Sequence, residues 1–280
     1  MSRVELEGRG LFGGAISRVV LTRTELDHVR VSVAGSTFVR ADDLRVLSTV
    51  RTTTVGCGCV KLALVEHLFA ALAAASVRSC LDVEVSTGEL PLLDGGAALW
   101  CAALAKLGLD GRADLARDAA WLTKDQPRLR ILEAGNVEVG DSEYRFALAR
   151  GIAVEVDVDF DDARVARSAH WDGTPQAFSD RIASARTFLR FADADAMLAA
   201  GLAAEVDPKS VVVLAGDAIH AAGRAFEADE PARHKLLDLL GDLYVHGGPP
   251  FGTVSARRPG HAATHRAIAV ALDRGILGAW

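Results

Sequence analysis

The feature that most restricts the fold of this chain is a repeated order of signals in its two halves. Each half has a histidine near the start of a leucine-rich segment, then a strand-like run, then a glycine-containing turn that opens another helix. His67 precedes Gly95 by 28 positions, and His234 precedes Gly260 by 26. Near-equal spacing of this kind points to a duplicated unit. In the first half, Val19 and Leu21, then Val29, Val31 and Val33, alternate as strand residues do. Leu64 to Ala75 changes to the period of a buried helix, and Leu81 to Val85 returns to a strand. A turn marked by Pro91, Asp94, Gly95 and Gly96 then precedes a helix over Ala97 to Leu107. The second half predicts strands around Leu129 to Val139 and Tyr144 to Phe160, a helix from about Pro231 to Tyr244, a strand over Phe251 to Ala256, and a closing helix over His261 to Asp273. Between Gly108 and Gln126 the apolar stripe is lost, so a junction is expected there, with domains at 1–112 and 118–280. Two related domains facing each other make a cleft to which each can contribute a ligand-bearing helix.

A chain of 280 residues can bury the cores that this arrangement needs. Its net charge of -6 and pI near 5.8 argue against broad binding to a phosphate backbone, so no nucleic-acid partner is expected. The N-terminal MSRVELEGRG has no apolar core of a secretory signal, and the most apolar stretch, Leu62 to Ala75, carries Glu66 and His67 and is too short to span a bilayer. A cytoplasmic protein without a membrane anchor is expected. Cys57, Cys59, Cys80 and Cys101 are too few for a disulfide scaffold, and Cys57-Gly58-Cys59 lacks the spacer usual in structural zinc sites.

Chemistry-bearing residues concentrate on the two leucine-rich segments. His234 and Asp238 are four apart, so a helix projects them from one face, where they can chelate a metal; HKLLD is also an ordinary surface pattern with an internal ion pair. Catalytic zinc sites take three protein ligands and leave a fourth position open. His67 is the best third candidate, since an imidazole and the adjacent Glu66 carboxylate within LALVEHLFAAL are costly to bury unsatisfied. The competing reading leaves both half-exposed at a helix start. His261, directly after Gly260, can donate a proton if a carboxylate keeps it charged, and Asp242, one turn beyond Asp238, can be that partner; His261 can equally be a plain helix-start residue.

Five segments in order, VEHLFAAL, ELPLLDGGAA, ASARTF, ARHKLLDLLGDLY and RPGHA, make the chain resemble the UDP-3-O-acyl-N-acetylglucosamine deacetylase family of zinc amidases in lipid A synthesis. The resemblance covers almost the whole chain. It implies an α+β fold of two related domains, each a two-layer sheet/helix sandwich, with the active site in the cleft between them. It also implies Zn2+ held by His67, His234 and Asp238, Glu66 as general base, His261 as general acid oriented by Asp242, and Thr187 of the RTF run stabilising the oxyanion. Lys235, Phe160, Phe188 and Arg258 are the implied substrate-binding residues, with Phe160 stacking on uracil and Arg258 near the diphosphate. The implied partner is a small molecule, a nucleotide-linked and acylated amino sugar, bound by a monomer.

Departures from the family pattern concern substrate rather than chemistry. The GVGLHSG-like stretch reads GRGLFGG, with Phe12 in place of a histidine, and Gly96 replaces a serine. The Gly-Gly-Ser segment of the acyl passage reads AAEVDPKS, whose Glu205, Asp207, Pro208 and Lys209 predict a poor lining for a fatty chain. Asp162-Ala163 replaces a His-Pro, and Arg258 replaces a lysine with its charge kept. Three functions are therefore weighed: the lipid A deacetylase, a paralogue acting on an amino sugar without a long acyl chain, and a non-catalytic binding protein.

Overall fold

The computed structural model describes residues 2–111, 129–160 and 162–279. Most of the expected junction, from residue 112 onward, lies outside the described residues.

The first half runs β1 (Arg3–Arg9), β2 (Ile16–Arg23), β3 (Val29–Val33), β4 (Val39–Arg40), β5 (Arg45–Ser48), β6 (Thr54–Cys57), β7 (Val60–Ala63), α1 (Glu66–Ala74), β8 (Leu81–Val85) and α2 (Ala98–Lys106). The second runs β9 (Leu129–Ile131), β10 (Gly135–Val139), β11 (Ser142–Ala147), β12 (Ile152–Asp157), β13 (Ser168–Trp171), the short α3 (Pro175–Ala177), β14 (Thr187–Arg190), α4 (Phe191–Ala199), β15 (Val211–Leu214), β16 (Ile219–Ala221), α5 (Glu230–Val245), β17 (Gly252–Arg257), α6 (His261–Asp273) and β18 (Leu277–Ala279).

The repeat read from the sequence appears as one topology used twice. The first sheet has the order β1-β2-β8-β3-β4 and the second β10-β11-β17-β12-β13. In each, the central strand is antiparallel to one neighbour and parallel to the other: β8 against β2 and β3, β17 against β11 and β12. A parallel neighbour requires a crossover, and here a helix precedes the central strand in each half, α1 before β8 and α5 before β17. Each half also carries a three-stranded insert between its last edge strand and that helix, β5-β6-β7 in the first and β14-β15-β16 in the second. The fold is thus α+β with two related sheet/helix units.

Layering follows from the helices. All nine residues of α1 are buried, as a helix apolar nearly all round must be. It packs against α5 and α2, while α2 covers β1, α6 covers β10, and α5 covers β12 and β13. The order is sheet, helices, helices, sheet. Gly241 of α5 permits the closest approach, because a Cβ there would sit 2.7 Å from the backbone carbon of Glu66 and overlap its carbonyl oxygen. A glycine inside a helix costs about 0.5–1 kcal/mol against alanine; here the backbone of α1 occupies the space a side chain would need.

The four expected helices, α1, α2, α5 and α6, have boundaries within two residues of the sequence reading, whereas α3 and α4 were not expected. None of the described helices is long and apolar enough to cross a membrane.

Candidate active site

The crossing of α1 and α5 brings together what the sequence separates by more than 160 positions. Glu66 and His67 occupy the first two positions of α1, and His234, Asp238 and Asp242 lie on successive turns of α5. Glu66 and His67 are each 3% exposed, and His234 and Asp238 are 3% and 7% exposed. Burial excludes the half-exposed reading of Glu66–His67 and the surface-helix reading of HKLLD. One ligand atom from each of His67, His234 and Asp238 falls within 4.8 Å of the others.

The hydrogen bonds of this trio indicate what it holds. His234 Nδ1 lies 3.0 Å from the Ala185 carbonyl oxygen, which can only accept, so the proton sits on Nδ1 and the lone pair on Nε2. That lone pair faces Asp238 Oδ1 at 3.4 Å. Burial pushes the His234 pKa down. Burial, then the charge of His234, drops that of His67 to about 3. Asp238 resists burial, which would raise its pKa, because Lys235 and the surrounding imidazoles hold it below the usual carboxylate range. Two neutral imidazoles and a carboxylate therefore point electron pairs at one another, and buried His67 Nδ1 has no hydrogen-bond partner among the described residues. Such a set fits a divalent cation, which supplies the missing positive charge.

Around the trio stand groups able to move protons. Glu66 accepts a hydrogen bond from Thr52 Oγ1 at 2.7 Å and one from the Thr53 backbone N–H at 3.3 Å. Burial raises its pKa to about 7, against the opposing charge of His261, which places it where a general base works best. His261, at the start of α6, donates from Nδ1 to Asp242 Oδ2 at 2.8 Å and turns Nε2 to within 3.8 Å of Glu66 Oε1. Burial would lower the His261 pKa, but the charge and hydrogen bond of Asp242, with Glu66 and Asp238 behind them, push it up to about 10. The half-buried His261 therefore favours its imidazolium form and is bound to Asp242 rather than being a plain helix-start residue.

These groups open into a cavity of about 340 Å³ lined by Glu66, His67, Thr187, Phe188, His234, Lys235, Asp238 and His261. The rest of its wall is Leu11, Phe12, Leu64, Leu189, Ala196 and Met197, with Arg51 and Asp193 as its two further charged residues. Thr187 is held by its backbone N–H to the Gly95 carbonyl oxygen at 2.7 Å, so the first half's turn positions the second half's insert. At Gly96 a Cβ would stand 2.5 Å from the Ala183 carbonyl oxygen, which explains why serine is absent there. Lys235 Nζ donates to Asp238 Oδ2 at 2.9 Å and lies over the Phe188 ring.

The remaining substrate residues fall at the edge. Phe160 meets Phe188 edge to face, with ring centroids 5.3 Å apart. Arg258 does not line the cavity and is ion-paired with Asp159. Glu205 to Ser210 do not line this cavity either. Glu205 reaches toward Arg9, the Asp207 side chain caps the turn at Pro208–Ser210, and buried Ser210 donates to the Leu93 carbonyl oxygen. A larger groove of about 770 Å³ lies over the second sheet, among Arg145, Glu155, His170 and Arg257, and contains none of the predicted site residues.

Thr52 and Thr53 escaped the sequence reading, since RTTT in a loop carries no periodic signal. The same holds for Arg186 and Glu230, both fully buried and joined by two side-chain hydrogen bonds of 2.8 and 3.0 Å. This pair fastens the segment carrying Ala185 and Thr187 to the first turn of α5.

Comparison with known proteins agrees with this geometry. The model of the UDP-3-O-acyl N-acetylglycosamine deacetylase family matches residues 1–272. UDP-3-O-acyl-N-acetylglucosamine deacetylases of Brucella melitensis biotype 2 (strain ATCC 23457) and Brucella abortus (strain 2308) are each 32% identical over 280 residues, covering 96% of this chain and 93% of theirs. The matched range spans both five-stranded sheets and both inserts, and the chain belongs to the UDP-3-O-acyl N-acetylglycosamine deacetylase family.

Proposed function

We propose that the protein is a zinc-dependent N-deacetylase that hydrolyses the acetamide of a UDP-linked 3-O-acyl-N-acetylglucosamine, as in lipid A biosynthesis. The observation that carries this reading is the placement of a buried base, Glu66, and a half-buried acid, His261, 3.8 Å apart beside three convergent metal ligands. Zinc is the metal of choice because two imidazole nitrogens and one carboxylate oxygen, with a position left open, are its usual hydrolytic set. When bound, it would lower the pKa of a water toward about 7 and polarise the amide carbonyl.

The chain's own residues divide the remaining work. Glu66, held by Thr52 and Thr53, takes the proton of the attacking water as the new carbon–oxygen bond forms. The Thr187 hydroxyl, at the cavity wall, donates to the oxygen on which charge develops. His261 gives its Nε2 proton to the nitrogen as the carbon–nitrogen bond breaks, releasing amine and acetate, while Asp242 holds Nδ1. Lys235 and Phe188 meet the sugar, Phe160 and Phe188 form an aromatic wall for uracil, and Arg258 lies outside them near the diphosphate.

The apolar wall of Leu11, Phe12, Leu189, Ala196 and Met197 favours an acylated substrate over a bare amino sugar. Each methylene buried there contributes about 0.8 kcal/mol. We further assign residues 1–112 and 118–280 to two domains, the chain to the monomer, and its place of work to the cytoplasm.

Acetate release from UDP-3-O-acyl-N-acetylglucosamine tests the reading directly. Purified protein is expected to carry about one zinc per chain, to lose activity to a chelator and regain it on zinc addition, and to complement a strain depleted of the deacetylase. Zinc-loaded protein that releases no acetate from this substrate would sink it.

A further inference from the structure

Beyond Asp242 the hydrogen bonding continues away from the cavity. Asp242 Oδ1 accepts from Thr53 Oγ1 at 2.6 Å and stands 3.3 Å from His265 Nε2. The same Nε2 is 3.2 Å from Thr53 Oγ1. His265 Nδ1 in turn lies 2.8 Å from His246 Nε2. His265 is one turn beyond His261 on α6, and His246 one turn beyond Asp242 at the end of α5, so two helix pairs spaced by four residues face each other. His265 is buried, whereas His246 is half-buried and lines a separate pocket of about 260 Å³ that shares no residue with the catalytic cavity.

The proton positions follow by elimination. A hydroxyl has a single proton, and that of Thr53 is committed to Asp242 at 2.6 Å. Thr53 Oγ1 and the Asp242 carboxylate can therefore only accept from His265. His265 Nε2, facing both, must carry the proton. Its Nδ1 faces His246 Nε2 across a hydrogen bond of 2.8 Å, and burial lowers the His246 pKa to about 4.

We propose that His265, protonated on Nε2 and held at Nδ1 by its hydrogen bond to His246, is a positioning residue for the general acid. It acts through Asp242. With Oδ1 occupied by Thr53 and His265, the carboxylate cannot rotate, and Oδ2 alone is presented to His261 Nδ1, so His261 Nε2 stays aimed at the leaving nitrogen. This role rests on the reading of His261 as acid in the proposed deacetylation.

Two measurements test it. Nitrogen-15 spectra of histidine-labelled protein report tautomers without any turnover: His265 is expected with its proton on Nε2 at neutral pH, and a proton on Nδ1 alone would overturn the proposal. In kinetics, His265→Leu is expected to lower kcat about tenfold, the lower end for loss of an outer partner, with KM and bound zinc unchanged. His265→Gln, which keeps an N–H near Nε2, is expected to recover kcat to within about threefold of wild type. A leucine variant with wild-type kcat, or a glutamine variant as impaired as the leucine one, would refute the role while wild-type activity still upholds the deacetylase reading. If the leucine variant does not fold, the tautomer decides.

Discussion

Helices α1 and α5 hold equivalent places in the two halves: each follows a three-stranded insert and precedes the central strand of its sheet. They carry their polar residues differently. In α1, Glu66 and His67 occupy the first turn and seven apolar residues follow. In α5, His234, Asp238 and Asp242 form a stripe down the interior of a 16-residue helix. A duplicated scaffold has thus been specialised by where charge sits on one helix. At the start of α1 the Glu66 carboxylate takes hydrogen bonds from Thr52 and Thr53 and faces His261, while burial raises its pKa to about 7, which suits a base that must gain and lose a proton. Along α5 the carboxylates need counter-charges, and they find them in Lys235, the metal position and His261.

The largest test of this division compares one residue from each helix. Glu66→Ala is expected to leave zinc bound and cut kcat about 10²- to 10⁴-fold, the usual contribution of a general base. His234→Ala is expected to lose zinc itself, with activity vanishing alongside it. Metal analysis paired with initial rates distinguishes the two; zinc loss from the Glu66 variant would show that the halves are not divided as described.

A smaller effect is expected at Asp242. The imidazolium is the form of His261 that donates, so activity falls as pH rises through the His261 pKa. Burial alone lowers that pKa, and Asp242 holds it near 10. In Asp242→Asn the lowering term dominates, so the alkaline limb of the kcat profile is expected to move to lower pH, with kcat at its maximum reduced about 10²-fold. An unmoved limb would assign that limb to another group.

How much of this was legible in the sequence differs between the helices for the same reason. The α5 stripe has a four-residue spacing that any helix projects onto one face, so His234, Asp238 and Asp242 could be grouped before their surroundings were known. Glu66 and His67 are adjacent and have no such spacing; their role depended on burial at a crossing with a helix far along the chain. The repeat of helix, strand and turn was visible, but the shared strand order was not, because pairing partners such as β2 with β8 are distant and alternation does not identify them. The inserts were missed in detail, their strands being only three or four residues long. The surroundings of Glu205 to Ser210 were not legible either: Glu205 reaches Arg9 and Ser210 reaches Leu93, contacts between the two halves that no local pattern announces.

Stability separates the halves next. The second fixes its insert with the buried Arg186–Glu230 pair, to which Arg224 adds a further contact; the first fixes β5-β6-β7 through hydroxyl and backbone bonds to Glu66. Glu230→Gln leaves the Arg186 charge buried and underpaired, so a loss of about 3–5 kcal/mol is expected in denaturant unfolding. A loss under about 1 kcal/mol would mean that Ala222 and water suffice to hold that guanidinium.

The finest test is at the crossing itself. If α1 and α5 must touch backbone to backbone for base and ligands to converge, then Gly241→Ala inserts a methyl into the Glu66 backbone. Alanine is the better helix former by about 0.5–1 kcal/mol, so α5 considered alone would be strengthened. Overpacking opposes this by about 1–3 kcal/mol and acts on the residue that carries the base. The expected result is a net loss of about 1–2 kcal/mol with a disproportionate fall in kcat, because Glu66 is displaced from Thr52 and the adjacent His67 is shifted against His234 and Asp238. An alanine variant as stable and active as wild type would mean that the helices slide apart without separating base from metal, and the close approach would then be a packing detail rather than what joins the two halves into one site.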